Sequence, residues 1–218
     1  MELIRGILSA PSFSGEASTE DNDFQDNPNV AVVTFTSKNI GPADAGRLVV
    51  VHFCGTNSKD HTGITATIGG ISATVSDTQS AAGSFFSGFI YATVPTNTTA
   101  NIIFTFGGGG LKCRSLGILV MRYVGYSSTP DGTTSAASPT SITTSDNGVI
   151  GAAIAVDTAS TYVDWEAGVQ EVNEWIGSFS RCSVAMDITD NIAPSKNIQY
   201  ALGGGTNYAF HAGSFAPA

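Results

Sequence analysis

Short apolar runs, separated by glycine-rich or polar turns, recur along most of the 218-residue chain. In several runs apolar and polar residues alternate, which is the period of a half-buried β-strand. The run at 46–54 is apolar almost throughout and predicts a strand buried on both faces. One short helical turn is predicted at 170–176, and the polar stretch 127–145 is predicted to be a long loop. About a dozen strands are predicted, at 30–36, 46–54, 64–68, 71–75, 89–94, 102–106, 116–124, 148–156, 162–166, 177–188, 197–202 and 208–215.

Two glycine-rich stretches connect predicted strands. The glycine pair at 69–70 lies between two alternating arms and predicts a tight two-residue hairpin turn. The four glycines at 107–110, followed by Lys112, invite comparison with a phosphate-binding loop. However, Leu111 separates the glycines from the lysine, and Cys113 stands where such a loop needs Ser or Thr. We therefore predict a hairpin turn between two strands here as well.

Short strands joined by regularly spaced turns predict an all-β fold, an antiparallel β-sandwich of jelly-roll type with a short irregular N-terminal arm. The arm is placed at residues 1–29, where a run of acidic residues interrupts the strand pattern, and a single sandwich domain at 30–218. The loop at 127–145 could divide two domains. We expect one sandwich whose sheets draw strands from both halves, because Greek-key topologies pair strands that are distant in sequence.

Composition narrows the classes of partner. Only 12% of the residues are charged, about half the usual share, and the formal net charge is −9. This acidic balance disfavours nucleic acid and anionic membranes, so neither is an expected partner. The first residues lack the basic region and continuous apolar region of a secretory signal. Cys54, Cys113 and Cys182 are far apart in sequence and are expected to be buried, reduced thiols.

The candidate catalytic residues do not have the spacing that known catalytic motifs require. Asp164 and Glu166 lie two positions apart on a predicted strand, so their carboxylates would share one face, as in a glycosidase. Laminarinase-type sandwich enzymes have three acids at alternate positions, but Tyr162 occupies the first of these positions. No Gly-x-Ser-x-Gly elbow anchors a hydrolase triad. We therefore predict no catalytic residues, no enzymatic activity and no cofactor.

Candidate metal-binding residues are also incomplete. Asp21, Asp23 and Asp26 are close in sequence, but the glycine and the terminal glutamate of a calcium loop are missing at the required spacing. His52 lies within the most apolar strand, where we expect a core histidine held by a hydrogen bond. No metal site is predicted.

A series of longer motifs covers about residues 31–217. It comprises Gly46-Arg47 followed by an apolar strand, T-I-G-G-I-S-A at 67–73, V-P-T-N-T-T-A at 94–100, the strand at 116–124 followed by Gly-Tyr, and A-F-H-A-G-S-F-A-P at 209–217. The series resembles small jelly-roll proteins encoded by tailed phages of aquatic bacteria. It departs from their pattern in the acidic lead-in and at Asn97, where the family prefers glycine.

The resemblance implies a virion structural protein, either a capsid cement or decoration protein or a module of a tail fibre or spike. A fibre needs a trimerising shaft and an adaptor beyond one domain, so the length favours decoration. We expect a homotrimer on the capsid exterior that binds the major capsid protein shell and stabilises it. The alternative is a tail-fibre or spike module that binds a host receptor or glycan. The interface residues expected in the arm are Leu3, Ile4, Phe13 and Phe24.

Overall fold

The computed structural model describes a chain built from antiparallel β-strands. The described residues are 15–59, 61–79, 84–135, 137–138, 140–157, 162–167, 170–188, 195–204 and 207–218. The strands are β1 Glu16–Val30, β2 Val32–Asn39, β3 Leu48–Asn57, β4 Ile64–Ile68, β5 Ile71–Gln79, β6 Phe85–Thr93, β7 Thr99–Phe106, β8 Cys113–Val124, β9 Gly132–Thr134, β10 Thr140–Thr143, β11 Val149–Val156, β12 Val163–Ala167, β13 Gln170–Ile176, β14 Arg181–Ile188, β15 Ser195–Leu202 and β16 Tyr208–Phe215.

The described strands form three sheets. The first has eight strands in the order β1-β8-β3-β6-β5-β4-β7-β2. The second has five strands in the order β13-β14-β11-β16-β9, and the third has three in the order β10-β15-β12. Neighbouring strands are antiparallel. The predicted all-β antiparallel sandwich of jelly-roll type is therefore confirmed.

The eight-stranded sheet folds over on itself because β5 changes partner along its length. Its first residues pair with β4, whereas residues 74–79 pair with β6. Strands β2, β7 and β4 consequently lie over β1, β8, β3 and β6 and enclose a first hydrophobic cluster. The five-stranded sheet packs on the other side of β3, β6 and β8 and encloses a second cluster. The three-stranded sheet covers the five-stranded sheet around a third cluster, which makes four layers in all.

Strand β3 lies in the second of these layers and has an apolar environment on both sides. Val51 and Phe53 belong to the first cluster, whereas Leu48 and Val50 belong to the second. Alternate side chains of a strand point to opposite faces, so a strand between two interiors must be apolar at every position. All ten residues of β3 are buried. The predicted burial of this run on both faces is confirmed.

The expectation that the sheets combine strands from both halves of the chain is wrong. The eight-stranded sheet comes from residues 16–124, and the other two sheets come from residues 132–215. The two halves meet through the second hydrophobic cluster, to which both contribute side chains. The stretch 127–145 connects them and contains the short strands β9 and β10, so it is not one long loop.

Two local predictions also need correction. Residues 16–29, predicted to belong to an irregular arm, form most of β1, which pairs with β8. Their polar composition was misleading because β1 is an edge strand, and edge strands keep polar positions exposed to solvent. The helical turn predicted at 170–176 is strand β13, paired with β14. Residues 1–14 lie outside the described residues, so the remainder of the arm stays a prediction.

The two glycine-rich connections differ in their geometry. Gly69 and Gly70 have φ angles of 60° and 82° and join β4 to β5 as the predicted tight hairpin. Positive φ at both positions is what such a turn requires. The glycines at 107–110 also connect two strands, but β7 pairs with β2 and β4, while β8 pairs with β1 and β3. This loop crosses between two layers, so the hairpin prediction is wrong here.

Two of the sequence motifs, those at Gly46-Arg47 and at Asn97, have structural roles. The Arg47 guanidinium is buried and donates hydrogen bonds to backbone carbonyls on two loops, among them Gly41 at 2.6 Å and Thr96 at 2.6 Å. Asn97 has a φ of 64°, a left-handed conformation that glycine adopts readily and asparagine tolerates. Asn97 can therefore occupy a position at which the resemblance led us to expect glycine.

Candidate functional site: an uncharged outer face

The outer face of β2, β7, β4 and the start of β5 is covered by hydroxyl-bearing and β-branched side chains. Strand register places Val32 opposite Thr105, and Thr105 opposite Thr65. The intervening residues point inward, and Phe104 for example lies in the first cluster. We name this surface the threonine face, and it consists of Val32, Thr34, Thr65, Thr67, Ser72, Ile103 and Thr105.

Two shallow grooves follow the threonine face and share Ile103. One has a volume of about 480 Å³ and runs between β4, β5 and β7. The other has a volume of about 410 Å³ and reaches the β4–β5 turn. None of the side chains that line either groove is charged or aromatic. Val32, at one border of the face, is 50% exposed.

This composition determines which ligands the threonine face suits. Covering hydroxyl and methyl groups does not require a charge to be removed from water, which is the most expensive form of desolvation. A flat, uncharged sheet surface can therefore be covered by another protein surface at low cost. Sugar-binding sites commonly stack aromatic rings against the sugar, and the grooves contain no ring. The face consequently fits a protein partner better than a glycan.

Acidic side chains of β1 form ion pairs and hydrogen bonds with other residues of the same chain. Asp23 forms an ion pair with Lys38 at 2.8 Å. Asp26 accepts hydrogen bonds from the Ser178 amide at 2.9 Å and the Ser178 hydroxyl at 2.6 Å, and so ties β1 to the C-terminal half. Within the described part of the chain, no group of three or more His, Cys, Asp or Glu side chains is placed to hold a metal ion.

The predicted interface residues divide between described and undescribed parts of the chain. Leu3, Ile4 and Phe13 lie outside the described residues. The Phe24 ring stacks on Trp175 with the ring centroids 6.3 Å apart and the planes 11° from parallel. Phe24 is partly buried against the second cluster, so its contact joins β1 to the C-terminal half of the same chain.

Three basic side chains gather near the glycine loop, at the end of the sandwich that we call the basic pole. Lys59, Lys112 and Arg114 are exposed. Lys59 donates a hydrogen bond to the Gly109 carbonyl, and Arg114 lies 5.1 Å above the ring of Phe179. The other lysines and arginines of the described residues are buried or ion-paired. This grouping could not be predicted from the sequence, because its members lie on separate loops and strands.

His52 is buried without the hydrogen bond that we expected. Neither of its ring nitrogens has a partner among the described residues. The ring lies against the backbone of Gly151 and beside the ring of Phe89, at a centroid distance of 5.7 Å. Burial, and secondarily the charge of His211, lower the pKa of His52 to about 3. His52 is therefore a neutral core residue at ordinary pH.

Among the hydrogen bonds of the described residues, one joins a serine to a histidine and so has to be considered as a catalytic pair. It lies between Ser76 and His211. Their side chains are 2.8 Å apart, across the boundary between the two halves. The Nδ1 atom of His211 has no partner in the described structure, so no carboxylate orients the ring as a catalytic triad requires. Asp77, the next residue, bonds instead to His61 at 2.9 Å. The pair is therefore a contact between the halves.

The predicted carboxylate pair is only partly described. Asp164 is exposed, and the side chain of Glu166 lies outside the described residues. The neighbouring Trp165 donates a hydrogen bond from Nε1 to the Ser183 hydroxyl at 2.8 Å and packs against the third cluster. The Trp165 ring therefore makes its contacts inside the fold.

The three cysteines are free and buried, as predicted. Cys54 and Cys182, which are distant in sequence, are neighbours at the boundary between the halves.

No protein-family model matches the chain, and no curated protein is significantly similar to it in sequence. The resemblance to phage structural proteins therefore stays a prediction. Within the described residues, no helix has the length and apolar character needed to cross a bilayer.

Proposed function

We propose that this protein is a capsid decoration protein of a tailed phage, which binds the outer surface of the major capsid protein shell as a homotrimer and stabilises it without enzymatic activity. The proposal rests on the motif series at 31–217, whose residues specify turns and core contacts of a jelly roll. Arg47 and Asn97 serve such structural roles in the fold.

The structural observation that best supports the proposal is the uncharged threonine face. The chain has a net charge of −9, so most of its surface would repel an acidic partner or a second copy at short range. The threonine face presents no charge over its two adjoining grooves. A repeated protein lattice can dock there without burying an unpaired charge, and repetition over the shell multiplies a modest contact.

The alternative, a tail-fibre or spike module that binds a host glycan, is supported by a different surface. The basic pole combines Lys59, Lys112 and Arg114 with the partly exposed ring of Phe179. Cations beside an aromatic ring suit an acidic sugar, because the ring stacks on the sugar and the cations pair with its carboxylate or sulfate groups. This alternative predicts that binding depends on the pole and not on the threonine face.

Substitutions on the two surfaces distinguish the two functions. In Thr67→Glu and Thr105→Glu variants, docking would bury an unpaired carboxylate, so we expect affinity for capsids assembled without the protein to fall at least about tenfold. Thr133→Glu, on the distant edge strand β9, is the matched control and should bind normally. Thermal melting checks that all three variants are folded. Normal binding by both threonine-face variants would contradict docking through this face.

The number of copies in the virion tests the location independently. Mass spectrometry of purified particles should find hundreds of copies for a capsid component. A handful to a few dozen copies would contradict decoration and support the tail module. In that case, loss of glycan binding in an Arg114→Gln variant would identify the basic pole as the binding surface.

A further inference from the structure

Two of the three cysteines meet where the halves of the chain pack together. Cys54 lies on β3 and Cys182 on β14, and both are fully buried. The Cys182 thiol donates a hydrogen bond to the Cys54 carbonyl at 3.1 Å, and the Cys54 thiol lies 3.8 Å from the Ser183 carbonyl. Burial raises the pKa of the Cys54 thiol. Each thiol lies against the backbone of the strand that carries the other cysteine, so the two cysteines are neighbours across the boundary between the halves.

We propose that Cys54 and Cys182 are a disulfide-forming site, which joins the two halves covalently when the chain folds in the presence of a small external disulfide such as oxidised glutathione. One cysteine thiolate attacks the external disulfide, forms a mixed disulfide and releases one glutathione thiol. The second cysteine thiolate then displaces the other glutathione. Overall, two protein thiols become one disulfide, and the external disulfide is reduced to two thiols.

The location of the pair determines when this reaction takes place. Thiol–disulfide exchange needs a thiolate that can reach the oxidant, and burial of both sulfur atoms prevents this in the closed molecule. The bond therefore forms while the two halves are still separating or coming together, during folding or local opening. Once the halves have closed, the bond is shielded from reductants in the same way.

The cross-link has a structural consequence because of its span. It connects residues 128 positions apart, one in the eight-stranded sheet and one in the five-stranded sheet. Closing such a long loop restricts the unfolded chain and stabilises the folded state. It also prevents the second hydrophobic cluster from opening fully. The cross-link depends only on contacts within the chain, so its formation is independent of the proposed capsid function.

Cys113 provides an internal control. It is also buried, but it belongs to the first cluster, and its thiol donates a hydrogen bond to the Ser115 carbonyl of its own strand at 3.4 Å. A disulfide that formed by chance in the unfolded chain would involve Cys113 more often than either of the other cysteines, because the loops that Cys113 can close are both shorter than the loop between Cys54 and Cys182. A bond directed by the fold should leave Cys113 as a free thiol.

The test is refolding of the full-length protein from urea, with oxidised and reduced glutathione in one sample and excess reductant in another. Peptide mapping without reduction should find a Cys54–Cys182 cross-linked peptide only in the first sample, with one free thiol left per chain. The urea midpoint of the oxidised protein should rise, and reduction under denaturing conditions followed by refolding should reverse the rise. Cys113→Ser should behave in the same way, whereas Cys54→Ser and Cys182→Ser should show no increase.

Two outcomes would overturn the proposal. One is three free thiols per chain in protein that has refolded, by circular dichroism, in the glutathione buffer. The other is a cross-link that includes Cys113 as its main product. Both are read on the wild-type chain, so the test remains decisive even if a serine variant does not fold.

Discussion

Replacing Gly151 by alanine tests how the two halves fit together. Gly151 lies on β11, and its backbone is covered by the ring of His52 from β3. A Cβ atom at this position would lie 2.0 Å from Nε2 and 2.2 Å from Cε1 of His52, whereas ordinary contacts begin at 3.4 Å. The ring would have to move by more than 1 Å. It is fully buried and packs beside Phe89, so its movement would disturb the surrounding core.

The expected cost follows from the size of this overlap. Inserting a methyl group into a well-packed core costs about 1–3 kcal/mol, and this overlap with a fixed ring belongs at the upper end of that range. With a urea m-value of about 3 kcal/mol/M, reasonable for a chain of this size, the unfolding midpoint should fall by roughly 1 M. Gly109→Ala is the matched control, because nothing lies within 4 Å of its added Cβ.

A double-mutant cycle identifies the ring as the cause. His52→Ala alone leaves a cavity but also removes a buried ring without hydrogen bonds, so it should destabilise by roughly 1–3 kcal/mol. In the double variant the alanine at 151 fills part of the space that the ring leaves. The combined loss should therefore be smaller than the sum of the single losses, by about 1–3 kcal/mol.

Urea unfolding monitored by tryptophan fluorescence measures the wild type and the four variants. If Gly151→Ala unfolds at the same urea concentration as Gly109→Ala, the ring does not lie against this glycine and the packing of the halves is wrong. Strict additivity of the two single variants would refute the contact itself.

Three further predictions concern pH, the β4–β5 turn and the N-terminus. Burial lowers the pKa of His52 to about 3 and that of His211 to about 4, so the folded state binds fewer protons than the unfolded state between those values and about 6.5. The free energy of unfolding should therefore be highest above about pH 6.5 and fall as the pH drops toward 4. Urea midpoints that stay constant from pH 7 to 4.5 would contradict this. Valine at Gly69 or Gly70 should destabilise the protein by about 1 kcal/mol or more, because both need positive φ, and unchanged melting of both variants would refute the assigned turn. Deleting residues 1–14 should leave a folded protein that no longer binds capsids, and normal capsid binding by this variant would contradict the prediction. A longer deletion that also removes β1 should unfold the protein, and a folded product of the longer deletion would contradict that prediction.

The strands inside the sandwich could be predicted from the sequence, because burial leaves a local signal. A strand between two apolar interiors, such as β3, must be apolar at every position, and a strand with one exposed face must alternate. The turn at Gly69-Gly70 was equally readable, because its geometry depends on two adjacent residues. Strand β1 could not be predicted from the sequence, because its acidic side chains form ion pairs and hydrogen bonds with residues outside the strand, such as Lys38 and Ser178.

The threonine face shows the same division. Its alternating pattern on β4 and β7 was visible in the sequence, and so was the low charge of the whole chain. The register that places Val32, Thr105 and Thr65 in one row depends on pairing between strands separated by many residues. Nothing in a single strand specifies its neighbours, so the continuous uncharged surface exists only in the assembled sheet.

The sequence by itself therefore determined the β class, the two-residue turn, the buried strands and the free, buried thiols, all of which depend on local pattern or on average burial. The tertiary structure decided that each half forms its own sheets, that the glycine loop crosses between layers, and that Cys54 meets Cys182 and His52 meets Gly151. The physical reason is that the Cys54–Cys182 and His52–Gly151 contacts join positions about 100 or more residues apart, and that the sheet order pairs many strands that are not neighbours in sequence. Which of these contacts form depends on how whole layers pack, and local residue preferences do not specify that packing.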